Sequence, residues 1–174
     1  PEMSVSAGDF LILHLGSATN CNMTGSPNET ADPDSADQVT HPQNFDTAFD
    51  LYTDSGGLTA TSNVLTLVNP IGDIVEAVLL HNDDANVAGS SEARAAEVAA
   101  AGQWTDPSGM VPAGGFVDAD FIANGVPGLA ATDTTPGGTS IQRTGDGDDD
   151  DKDDWTGAPA ASTWGALNSG QSSP

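Results

Sequence analysis

The clearest periodic signal in the chain is NVLTLVNPIGDIVEAVLLHN, residues 63–82. Two β-rich runs flank Asn69-Pro-Ile-Gly-Asp73. With Thr66 and Glu76 in solvent, a period of two puts Leu65, Leu67, Val75, Ala77 and Leu79 on one face. Pro70 and Gly72 suit a tight connection, since glycine takes positive φ without strain. The segment predicts an antiparallel hairpin. Asp9–Gly16, DFLILHLG, is a compact apolar run ended by glycine and predicts a buried strand. Phe49-Asp-Leu-Tyr52 alternates and predicts another.

The period then changes. SSEARAAEVAAAGQW, residues 90–104, predicts a helix. Ser90 or Ser91 can cap it, Glu92 sits favourably in the first turn, and Gly102 is the expected stop. Its apolar surface is mostly alanine, so it must pack either closely or weakly. Residues 105–138 are rich in Gly and Pro, with a short strand expected at Gly115–Ile122. Thr139–Arg143 predicts one more. Residues 17–47 are polar, carry Pro27, Pro33 and Pro42, and show no period, which reads as an insertion or a binding loop. The chain after Trp155 reads as an irregular tail pinned by Trp164. Short strands separated by turn signals predict an all-β fold, a β-sandwich.

Charge narrows the functions open to such a fold. Among 174 residues there are 26 acidic and three basic side chains, a net charge of -23. Nucleic-acid binding needs Lys and Arg to displace counterions from phosphates. Arg94, Arg143 and Lys152 cannot build that footprint, so DNA and RNA are excluded as direct partners, and anionic membrane surfaces with them. No apolar run approaches the roughly 20 residues that span a bilayer, so direct membrane insertion is excluded too. The repulsion within so acidic a chain is relieved by salt or divalent cations, which suits an extracellular or cell-surface setting. The opening PEMSVSAGDFLIL lacks a basic n-region and reads as a mature terminus or a cut within a longer protein. Cys21 is the lone cysteine, either a buried thiol or a link to another chain. Two sequons, at Asn22 and Asn28, fall in the polar loop and become glycosylation candidates if the protein is secreted.

Candidate chemistry is sparse. Asp54-Ser-Gly-Gly57 has the look of a serine-protease motif, but no histidine sits in a matching context, and it reads as a turn. His81-Asn-Asp-Asp84 offers one imidazole beside acids and reads as the surface end of a strand. No His/Cys pair has zinc spacing, and no phosphate-binding or dinucleotide fingerprint is present. The tryptophans could form a carbohydrate-stacking platform; for Trp155 a place in the core is the other reading. The remaining feature is TGDGDDDDKDDW, where seven of nine positions from Asp146 to Asp154 are aspartate. No frame fits an EF-hand loop. Neighbouring carboxylates repel by about 0.7 kcal/mol per pair at roughly 6 Å in water. A calcium ion, with roughly six to eight oxygen ligands, would relieve that. The run therefore reads as a solvated turn or as a Ca2+ site, with Asp146, Asp148, Asp150 and Asp153 the candidate ligands. Asp148–Lys152 also spells the DDDDK cleavage sequence of enteropeptidase, a coincidence in a chain this acidic.

Three segments resemble the lamin-tail domain, an immunoglobulin-like β-sandwich found in nuclear lamins and in secreted prokaryotic proteins. AGDFLILHLG (7–16) is similar to one of its strands, and NVLTLVNPIGDIVEAVLLHN (63–82) to its central hairpin. SIQRTGDGDDDDKDDWTGAPAASTWGALN (140–168) resembles its closing signature, a Ser-aliphatic-x-Arg strand, an acidic turn and an Asp-Trp pair. The family's opening strands, with their Asp-Leu-x-Gly-Trp motif, are absent. The resemblance implies one domain over residues 1–168, with a tail at 169–174. It implies an all-β, immunoglobulin-like β-sandwich with one short inserted helix (90–102) and long loops (17–47). A sandwich lacking strands exposes unpaired edges, which implies self-association or pairing with another surface protein by strand complementation. The expected function is a non-enzymatic, secreted or cell-surface structural or adhesive module, able to self-assemble into filaments or oligomers. The alternative is an accessory domain of a larger secreted hydrolase or nuclease.

Overall fold

The computed structural model describes residues 10–15, 48–53, 58–59, 61–82, 87–127, 139–157, 160–161, 163 and 167–172. The chain divides into two units. The first comprises Pro1–Leu58, Thr163–Leu167 and Ser172–Pro174, and the second Thr59–Ser162 with Asn168–Gln171. In the first, β1 (Phe10–Leu15) and β2 (Ala48–Thr53) pair in parallel, from Phe10 opposite Ala48 to Leu15 opposite Thr53. Both strands fall where the apolar runs predict them. Leu11 is exposed, against the expectation of a buried strand. The expectations for the loop 17–47, the two sequons, Cys21, Asp54–Gly57 and Trp164 concern positions outside the described residues.

The second unit holds the predicted hairpin, β3 (Ser62–Val68) and β4 (Ile74–His81). Its turn is built by Asn69. The Asn69 carboxamide oxygen accepts from Ile71 N at 3.1 Å and Asp73 N at 2.9 Å, and Gly72 takes φ +99°. The faces are not those predicted. A β-bulge at Val75 pairs Val68 with Ile74 but Leu67 with Glu76. Without it Leu67 would oppose Val75 and Leu65 would oppose Ala77. One extra residue moves β4 by one step, and a one-step slip exchanges the faces. Leu65 therefore shares a face with Val78, while Ala77 and Leu79 lie with Thr66 and Val64.

Two helices follow, α1 (Gly89–Ala100) and α2 (Asp118–Asn124). α1 ends as predicted, with Gly102 at φ +73° and Gln103 N donating to the Val98 carbonyl at 3.1 Å. Its start differs. Ala88 holds the capping position without a side-chain bond. The Ser91 hydroxyl instead bonds the Ser62 hydroxyl and carbonyl, each at 3.1 Å, which fastens the helix to β3. The strand expected at Gly115–Ile122 is replaced by α2. Asp118 and Asp120 in its first turn favour a helix start, and the one side chain it buries is Phe121.

The core consists of Ala77–Leu80 of β4, Ala95 and Val98 of α1, Trp104, Phe116, Phe121 and Val126. Full burial of a side chain such as Leu79 or Val98 contributes about 1.5–3 kcal/mol. Beyond β4, His81 N donates to Val126 O at 3.0 Å and Val126 N to Leu79 O at 2.8 Å, a single parallel bridge where a third strand would lie. β5 (Thr139–Ser140) and β6 (Ala160–Ala161) add a short antiparallel pair. β5 is shorter than the expected Thr139–Arg143.

The expectation of an all-β, immunoglobulin-like sandwich is overturned. The described strands pair only two by two, in three separate ladders. Helix and strand contribute about equally to the second unit. The physical reason lies on the hairpin: an alanine-rich helix covers the face that a second sheet would cover in a sandwich. The opposite face of β4 meets the irregular segment that carries Ile141, Arg143 and Trp155.

Candidate functional site

The aspartate run is a loop closed at its base. Arg143 and Trp155 form an antiparallel bridge, with Thr156 N donating to Gln142 O and Thr144 N to Asp154 O, both at 2.8 Å. Inside the loop the carboxylates do structural work. Asp151 Oδ1 accepts from Asp153 N at 2.7 Å, and Asp154 Oδ2 accepts from Asp149 N at 3.0 Å and Asp151 N at 3.4 Å. Asp151 and Asp154 thus form a reciprocal cap on a short 3-10 turn, Lys152–Asp154. Asp150 sits at φ +54°, a left-handed conformation that aspartate tolerates better than most residues. Its carbonyl accepts from Thr105 N at 2.7 Å, and Lys152 Nζ donates to Ala123 O at 2.6 Å, at the carbonyl end of α2.

Arg143 organises the charge. It donates to Glu76 at 2.9 Å, to Asp148 at 2.7 Å and to the Gly147 carbonyl at 3.1 Å, with Asp154 at 3.7 Å. Its guanidinium lies 5.6 Å from the centroid of the Trp155 ring. Burial by itself would lower the Arg143 pKa, but Asp148, Glu76 and Asp154 together hold it above its ordinary value. Burial, then repulsion from Asp148, raises the Glu76 carboxyl, and Arg143 offsets only part of this. Burial and the neighbouring Asp148 and Asp154 raise Asp150 in the same way.

Of the four predicted ligands, the structure brings two together. Asp148 and Asp150 converge with Glu76, their oxygens all within 4.8 Å of one another. Asp146 and Asp153 stand outside this trio. Glu76 was missed, since it lies on β4, far away in sequence; its only signal was being the one acidic residue between Val75 and His81. The counter-ion of the cluster is a guanidinium. A calcium ion there would have to displace Arg143 from Glu76 and Asp148 and find further oxygens.

Residues 1–156 match the model of a family described as a protein second domain. The chain belongs to this second-domain family. The match takes in both helices and the hairpin and ends just past Trp155, so the closed aspartate loop lies within the second-domain family's extent. No curated protein and no solved structure matches the chain.

Two further predicted positions can be placed. His81, read as a surface strand end, is buried, its Nε2 3.2 Å from the Gly125 carbonyl. The reason is the bridge to Val126, which covers the end of β4. Trp155 packs partly buried against the core. It also lines a pocket of about 400 Å³ with His81, Ile122, Lys152 and Asp153. Trp104 is buried, its indole N–H donating to Asn124 O at 2.9 Å.

Proposed function

We propose that this domain is a non-enzymatic structural or adhesive module of an extracellular or cell-surface protein. One observation carries the reading: all three basic side chains are engaged inside the molecule. Arg94 bonds Glu97 and Thr66, Arg143 bonds Glu76 and Asp148, and Lys152 bonds the Ala123 carbonyl. With 26 acidic residues, the surface left to a partner is anionic. His81, the one histidine whose side chain is described, is buried against a backbone carbonyl, which supports a scaffold role over catalysis. Among the described residues no helix is long and apolar enough to cross a membrane.

Without a sandwich there are no missing sandwich strands for a second copy to replace. A different surface protein is the partner that the charge favours, because two copies at -23 repel each other. The family's description as a second domain supports a place in a longer chain. It favours a second reading, an accessory domain beside a hydrolase or nuclease. Light scattering and electron microscopy of the native material test the choice. A stable complex with a surface protein supports the structural module, and a discrete particle carrying an attached catalytic domain supports the accessory one. Turnover of any substrate by the isolated domain would sink both.

A further inference from the structure

Among the described residues, nothing pairs with the outer edge of β3, and the strand lacks the usual guards of an edge. Asn82 N donates to Thr61 O at 3.1 Å, and Asn69 N to Asp73 O at 2.9 Å. These bonds fix the alternation, so odd-numbered residues of β3 direct their backbone toward β4. Ser62, Val64 and Thr66 direct theirs outward. The Ser62 carbonyl is covered by the hydroxyls of Thr59 at 2.6 Å and Ser91 at 3.1 Å. For Val64 and Thr66, no strand among the described residues supplies a partner, because β3 pairs with β4 alone. Edge strands ordinarily carry Lys, Pro or inward charges that prevent pairing. β3 reads SNVLTLV and has none.

The ground beside this edge is shaped for a chain. A hollow of about 230 Å³ runs between Ser62, Asn63 and Val64 of the strand and Ser90 and Arg94 of α1, and no carboxylate lines it. Arg94 is already bonded to Glu97 and Thr66, so this wall is close to neutral. On the other face Leu65 and Leu67 are 37% and 59% exposed.

We infer that the outer edge of β3 is a strand-addition site for an extended, net-cationic segment of another protein. Backbone groups of Val64 and Thr66 pair with it, alternate apolar side chains cover Leu65 and Leu67, and flanking Lys or Arg meet the acidic surface. Charge selects this occupant over a second copy, whose approach sets -23 against -23. The inference rests on the reading of the domain as a binding module.

The test is amide hydrogen exchange by NMR on the full chain. The probe is a capped peptide alternating lysine and valine, with a second version N-methylated at every amide, which keeps charge but has no N–H to donate from either edge. In the free protein the Val64 and Thr66 amides exchange readily while Leu65 and Leu67 are protected. The peptide slows Val64 and Thr66 at least tenfold, and N-methylation weakens its binding at least tenfold. Val64→Pro abolishes the slowing at Thr66; if that variant fails to fold, the N-methylated peptide decides on the native protein. Equal binding of both peptides reduces the effect to charge and overturns the inference. So does protection already present in dilute free protein, where another part of the chain covers the edge, or protection that appears only with rising protein concentration, where a second copy does. Turnover by the domain would instead sink the module reading while leaving the exchange result standing.

Discussion

Arg143 donates to Glu76 at 2.9 Å across 67 positions of sequence, and so ties the aspartate loop to β4. The two side chains are only 20% and 31% exposed, and Asp148 shares the guanidinium at 2.7 Å. Trp155 stacks near the same group, a contact worth roughly 0.5–1 kcal/mol at partly exposed sites. Removing the cation would leave partly buried carboxylates facing one another. Arg143→Gln is expected to lower unfolding free energy by about 2–3 kcal/mol, below the full cost of breaking a wholly buried pair. Arg143→Lys should recover less than half, because an ammonium cannot address Glu76 and Asp148 with a planar fork. Urea denaturation of the three proteins checks this, and wild-type stability in Arg143→Gln would refute the clasp.

The same cluster sets a pH dependence. Burial and Asp148 raise Glu76 above its ordinary 4.5, and burial raises Asp150 and Asp151 above their ordinary 3.8. A carboxyl raised in the folded state binds its proton more tightly there than in the unfolded chain. Its contribution to stability is complete below the ordinary value and is lost as pH rises through the folded one. Asp106 runs the other way. The Ser108 hydroxyl and the Met110 amide lower it, so its contribution holds above 3.8 and fades as pH falls. The urea midpoint should therefore rise as pH falls from 7 toward the ordinary carboxyl values of 4.5 and 3.8, and fall again as pH drops below 3.8 and Asp106 loses its contribution. Glu76→Gln should flatten the first limb and leave the second. A midpoint that falls steadily from pH 7 would contradict the assignment.

Calcium offers an independent probe of who neutralises the loop. With Arg143 bonded to Glu76 and Asp148, millimolar CaCl2 is expected to shift the thermal midpoint no more than NaCl of equal ionic strength. Arg143→Gln frees the trio Glu76, Asp148 and Asp150, and should show a saturable calorimetric heat with calcium. Saturable heat in the unaltered protein would mean that the ion displaces the guanidinium.

The hairpin and α1 were legible because their periods, turn residues and stop signal all agree. The faces of the hairpin were not. Ala77–His81 are buried on both sides, which erases alternation, and a bulge at Val75 has no local signature. α2 was hidden within a Gly- and Pro-rich stretch, where only Asp118 and Asp120 hint at a helix start. Two of the acidic trio were visible, Asp148 and Asp150. Glu76 and Arg143 could not be joined to them from sequence, because a long-range ion pair leaves no mark on local pattern. The sandwich failed for a related reason: strand-like segments do not reveal whether a sheet or a helix will cover them.

Ser91 illustrates a long-range bond read as a local one. Its hydroxyl holds Ser62 rather than capping α1, and both residues are buried. Ser91→Ala leaves the Ser62 carbonyl with Thr59 alone, and is expected to cost about 1–2 kcal/mol. A capping role would cost a similar amount but act on the helix end. Exchange of the Ala88 amide, which donates to Ser62 Oγ at 3.1 Å, separates the two. It should speed up in Ser91→Ala, whereas a lost cap would free the first amides of the helix instead.

Gly125 marks the tightest passage in the core. It closes α2 with φ -90° and ψ 170°, a conformation open to any residue, so its need for glycine is spatial. A Cβ there would lie 2.8 Å from the Phe121 carbonyl, 2.9 Å from His81 Cδ2 and 3.3 Å from the Leu79 carbonyl. Two of the three contacts are backbone and cannot swing away. To admit a methyl group, α2 would have to move from β4, stretching the bonds of Val126 to Leu79 and His81. Gly125→Ala is expected to cost about 1–3 kcal/mol by overpacking, although alanine is the better former of most structure. Amide exchange at His81 and Val126 should rise with it. Unchanged stability and unchanged exchange would show that α2 is not held against β4 at this point.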